Sequence, residues 1–98
     1  MTKIVYNACY GGFGISEKAE VRYWELKGED RPVKWYTRDL ERDDPILAQV
    51  VEELGEEANG AFSDLQIEEL EAGTLYRIEE YDGFESVETE SDYSWRIA

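Results

Sequence analysis

Asp44-Pro45-Ile46-Leu47-Ala48-Gln49-Val50-Val51-Glu52-Glu53-Leu54-Gly55-Glu56-Glu57-Ala58 is followed, after Asn59-Gly60-Ala61, by Phe62-Ser63-Asp64-Leu65-Gln66-Ile67. The change of period between these two stretches decides the fold class. In the first, Ile46, Leu47, Val50, Val51, Leu54 and Ala58 fall on one helical stripe, with Glu52, Glu53, Glu56 and Glu57 off it. Asp44 is a good N-cap, and Pro45 occupies the first helical position, where its missing N–H costs nothing. Gly55 either ends this helix early or permits close packing, and Asn59-Gly60 is the stronger C-terminal signal. From Phe62 the period is two: Leu65 and Ile67 alternate with polar residues, as in a half-buried strand.

Working outward toward the C-terminus, Glu71-Ala72-Gly73 reads as a tight turn, and Tyr76 and Ile78 share a face of the next strand. Asp82-Gly83 is a type I′ hairpin turn that pairs Tyr81 with Phe84, Ile78 with Val87 and Arg77 with Glu88. Tyr93, Trp95 and Ile97 alternate in a last strand. Toward the N-terminus, Lys3-Ile4-Val5-Tyr6-Asn7 reads as a short interior strand that stops at Gly11-Gly12-Phe13-Gly14. Ser16 then caps a helix running to about Lys27, with Ile15, Ala19, Tyr23 and Leu26 at helical spacing and Gly28 as its stop. Val33–Thr37 suggests a further short strand. The expectation is an α+β fold over residues 1–98 as a single domain: a small, mostly antiparallel β-sheet with two α-helices packed on one face.

Charge narrows the partners. Twenty-four acids against ten bases give −14, and residues 44–98 carry all of it, with sixteen acids and two bases. Direct nucleic-acid binding is not expected, because phosphates require Lys or Arg to neutralise them. Anionic membrane surfaces are disfavoured for the same reason. There is no apolar run of membrane length and no signal-peptide pattern. One cysteine leaves no internal disulfide, which points to the cytoplasm. The absence of histidine removes the commonest general base and metal ligand, so neither enzymatic activity nor a cofactor or metal is expected.

Three segments carry a resemblance: Asn7-Ala8-Cys9-Tyr10-Gly11-Gly12-Phe13-Gly14-Ile15-Ser16; Asp44-Pro45 through Glu53-Leu54-Gly55-Glu56 to Ala58-Asn59-Gly60; and Ile78-Glu79-Glu80-Tyr81-Asp82-Gly83. Together they resemble a family of small accessory proteins of bacteriophages and prophages. The likeness touches most of the chain apart from residues 28–43. It implies a context, a phage gene expressed in a bacterial cytoplasm, and no particular chemistry.

Two binding readings follow from the residues. In the first, Glu52, Glu53, Glu56, Glu57, Glu79, Glu85 and Glu88, with Tyr81 and Phe84 as aromatic anchors, imitate nucleic acid. They occupy a basic surface of a host protein, such as a CRISPR-type defence protein. In the second, Gly11, Gly12 and Gly14 cradle a phosphate while Arg31, Lys34, Trp35 and Arg38 pair and stack with a nucleotide. The chain is then an oligomeric sponge for an immune signal. Against both stand plainer readings: a solvated acidic face, a glycine corner with Phe13 or Ile15 in the core, and basic residues that neutralise neighbouring acids. A phage accessory protein without a defence role is the remaining reading.

Overall fold

Local capping chemistry places both helices. In the computed structural model, which describes residues 2–30 and 40–89, helix α1 spans Glu17–Lys27 and helix α2 spans Pro45–Leu54. Ser16 accepts from the Ala19 N–H, and Gly28 closes α1 in the left-handed region at φ 72°. Asp44 accepts from the Ile46 N–H at the start of α2. Gly55, at φ 57°, ends the α-helix, and the chain continues as a 3-10 turn over Gly55–Ala58. The apolar stripe therefore outlasts the α-helix by one turn, and Ala58 is still buried.

Strand β1 (Thr2–Asn7) pairs antiparallel with β2 (Leu65–Leu70), Val5 opposite Ile67. Strand β3 (Tyr76–Tyr81) pairs antiparallel with β4 (Phe84–Thr89) across Asp82-Gly83. The hairpin register matches the sequence reading at Tyr81↔Phe84, Ile78↔Val87 and Arg77↔Glu88. The fold is α+β, with its described strands divided between two two-stranded sheets instead of joined in one. Although a turn follows β2, with the Thr74 N–H on the Glu71 carbonyl, β2 pairs back to the N-terminal strand and not forward to β3. The short strand expected over Val33–Thr37 and the last strand expected at Tyr93–Ile97 lie outside the described residues.

The core forms between α2 and the β1–β2 sheet. Val5, Leu47, Val50, Val51 and Leu65 pack with Ile15, Ala19, Tyr23 and Ala58. Helix α1 reaches the core by packing on α2 and on the 3-10 turn. The Tyr23 hydroxyl donates to Asp44 Oδ2 at 2.6 Å, so α1 also holds the cap of α2. Val5 and Ile4 are both fully buried although they point to opposite faces of β1, so this strand is interior on both sides.

Candidate functional site

Four parts of the chain meet at Asn7, which is fully buried at the end of β1. Its side-chain amide donates to the carbonyls of Cys9 (2.7 Å) and Gly83 (2.8 Å), and its oxygen accepts from the Asp64 N–H at 2.8 Å. The Asn7 backbone N–H, on the edge of β1 away from β2, donates to Glu85 Oε1 at 2.8 Å. Glu85 in turn receives the Arg42 guanidinium through two bonds, 2.6 and 2.9 Å. Arg42 lies 3.5 Å over the Phe13 ring, and its own carbonyl accepts from the Val5 N–H. Among the described residues, the edge of β1 is thus closed by a carbonyl and a carboxylate in place of a strand.

This corrects the expected role of Glu85. It is 6% exposed and bound to three donors, so it holds the hairpin to β1 and is not a surface carboxylate. The hairpin register carried the clue, because Glu85 lies on the same face as the Ile78–Val87 pair.

The helix-α2 acids are also different from an open negative stripe. Glu52 pairs with Lys3 (2.6 Å), Glu53 with Arg22 (2.8 Å) and Glu57 with Lys18 (2.9 Å). The Arg22 hydrogen bonds and charge, with a further bond from Gln49, hold the Glu53 carboxyl below its usual range. The bond to Glu52 raises the Lys3 ammonium in the matching direction. Three of the four carboxylates therefore present a neutralised surface, and Glu56 is the exposed one without a salt bridge among the described residues.

The glycine loop is built as a corner. A Cβ on Gly11 would lie 1.7 Å from the Phe62 carbonyl oxygen, and one on Gly83 would lie 2.4 Å from the Tyr10 carbonyl. Ser63 Oγ donates to the Gly14 carbonyl, and Cys9 Sγ lies 3.1 Å from the Phe62 carbonyl. Gly12 adopts φ 92° with open space around it, and Gly14 is likewise unobstructed. Arg31, Lys34, Trp35 and Arg38, the remaining residues of the nucleotide reading, lie outside the described residues.

What the corner leaves in solvent is aromatic. Tyr10 is 66% exposed, Phe62 77% and Tyr81 78%, and Phe84 stacks obliquely on Tyr10 with ring centroids 5.2 Å apart. Tyr81 and Phe84 are cross-strand partners, so both project from the outer face of the hairpin with Arg77, Glu79, Ser86 and Glu88. Exposed Glu80 and Asp82 flank them, and Glu79 pairs with Arg77. Sequence reasoning placed Tyr81 and Phe84 here but missed Tyr10, which joins the patch by packing on Phe84, and Phe62, which lies exposed beside Gly11. It also missed Asn7, although a polar residue closing an apolar strand before a glycine cluster was a usable sign. Comparison with protein-family models, curated proteins and solved structures finds no match. Among the described residues, no helix is long and apolar enough to cross a membrane.

Proposed function

We propose that this chain is a non-enzymatic binding protein that inhibits a host protein by covering its basic, nucleic-acid-binding surface. The contact is made by the hairpin tip and glycine corner more than by helix α2. The observation that carries this reading is the aromatic patch of Tyr10, Tyr81 and Phe84, on the hairpin face that also carries Glu79 and Glu88, with Asp82 at the turn and exposed Phe62 beside Gly11 at the corner. Exposed tyrosines held on a rigid turn supply hot-spot area at little conformational cost, and the flanking carboxylates steer a basic partner into register. The acids of α2 and the 3-10 turn contribute less, since Lys3, Arg22 and Lys18 already neutralise Glu52, Glu53 and Glu57. The resemblance of the motifs to phage accessory proteins supports a bacterial host as the setting, and the defence role is part of the proposal.

The test is retention of bacterial proteins on the immobilised chain, with competition by DNA and RNA. A retained nucleic-acid-binding protein that nucleic acid displaces, and that Tyr81→Ala releases at least roughly tenfold more readily, supports the proposal. Glu79→Lys is expected to act in the same direction and Glu56→Lys to have little effect. Retention that survives both Tyr81→Ala and Glu79→Lys in folded protein, or that ignores competing nucleic acid, overturns it.

A further inference from the structure

The two sheets treat their open edges differently. The edge of β1 is closed by Arg42 and Glu85, whereas the outer edge of β3, like that of β2, has no strand partner among the described residues. A two-stranded hairpin is marginal in water, and its unpaired N–H and C=O groups form a template for another strand.

The hairpin geometry says which groups those are. Asp82 at φ 53° and Gly83 at φ 91° form the two-residue turn, so the flanking pair Tyr81↔Phe84 exchanges both backbone hydrogen bonds. Alternation then gives Glu79↔Ser86 and Arg77↔Glu88 the same bonded status. Tyr76, Ile78 and Glu80 consequently turn their N–H and C=O groups away from β4. Strand β4 lies on the side of β1, joined to it through Glu85 and Asn7, which leaves β3 outermost among the described strands.

We propose that this edge pairs with the same edge of a second copy of the chain, antiparallel about a two-fold axis through Ile78. The two hairpins then form one four-stranded sheet. Side-chain charge selects this register. An axis through residue 77 sets Arg77 opposite its own copy, and an axis through residue 79 sets Glu79 opposite Glu79. Only the axis through Ile78 sets Arg77 opposite Glu79 of the second copy, twice, on the same face. The same axis matches Tyr76 with Glu80 and Ile78 with Ile78, so all three outward-facing residues of each strand are bonded. Tyr81 and Phe84 remain on the open face, whereas Glu79 serves both the pairing and the proposed partner contact, so the pairing is read from mass in the absence of any partner.

Sedimentation equilibrium of the full chain tests the pairing, using wild type, Arg77→Glu, Glu79→Arg and the double exchange Arg77→Glu/Glu79→Arg. The wild type is expected at twice 11.4 kDa at concentrations of about 100 μM. Each single reversal places like charges opposite one another twice and should weaken the dimer by roughly tenfold or more, while the double exchange restores it. The in-chain Arg77–Glu79 ion pair predicts something else: a lowered melting midpoint with no change of mass. A monomeric wild type, with the edge bare or covered by the chain's own residues 90–98, overturns the proposal. So does a dimer indifferent to the single reversals, or a folded double exchange that fails to re-form it.

Discussion

Replacing Glu85 with Gln tests whether one carboxylate latches the hairpin to the body of the fold. The change keeps size and shape but removes the charge and substitutes a donor for one of two acceptors. Glu85 now receives three donors, two from Arg42 and one from the Asn7 N–H, at 2.6, 2.9 and 2.8 Å. Its side chain is 8% exposed and that of Arg42 is 20% exposed. Breaking one partner of a buried pair costs about 3–5 kcal/mol. Arg42 retains some access to water, which puts the expected loss near the lower end, ~3 kcal/mol. In a domain of this size that corresponds to a fall of roughly 12–24 °C in melting midpoint. Urea unfolding followed by tryptophan fluorescence measures it directly, with an unchanged slope confirming that the loss is one of stability. The double variant Arg42→Met/Glu85→Leu removes both charges and leaves the Asn7 N–H without its acceptor and the Val5 carbonyl without the Arg42 donor. It should therefore be more stable than the sum of the single losses allows, by about 2 kcal/mol. A Glu85→Gln loss below about 1 kcal/mol, or strict additivity in the cycle, would refute the latch.

Three further outcomes follow from the geometry. Gly11→Ala drives a Cβ into the Phe62 carbonyl and should cost more than about 2 kcal/mol, whereas Gly14→Ala, in open space, should stay within about 0.5 kcal/mol; chemical denaturation of the two variants compares them. Burial, reinforced by the bond to Asp44, holds the Tyr23 phenol above its ordinary value near 10, so the unfolded chain ionises first. The Tyr23 contribution to stability should then be flat below about pH 10 and fall as pH rises beyond it. Tyr23→Phe should flatten that alkaline limb in part, since Tyr76, raised mainly by burial, still contributes, and it should cost about 2 kcal/mol at neutral pH through the lost bond to Asp44.

The elements that sequence reading placed well are those fixed by neighbours in the chain. Ser16, Gly28, Asp44 and Pro45 bound their helices by satisfying backbone groups within a few residues. Asp82-Gly83 sets the hairpin register because only a few conformations close a two-residue turn. The sheet arrangement was not legible in this way. Pairing of β2 with β1 joins residues some sixty positions apart, and it is decided by burying Leu65 with Val5 under α2 and by Asn7 taking the Asp64 N–H. A local turn at Glu71–Thr74 carries no information about that competition. The charged residues misled for a related reason: Glu52, Glu53 and Glu57 read as an unopposed stripe because Lys3, Arg22 and Lys18 lie far from them in sequence.

The closure of β1 bears on how the protein ages in solution. Ile4-Val5-Tyr6 is a β-prone segment with one charged residue, Lys3, beside it, the composition from which fibrils nucleate. No strand shields its outer rim among the described residues; a main-chain carbonyl and a single ion pair do so. Resistance to fibrillar growth is thereby tied to the Arg42–Glu85 contact. Variants that loosen it should aggregate by templating on β1 well before they unfold, with thioflavin-positive material appearing while the helical signal is still intact.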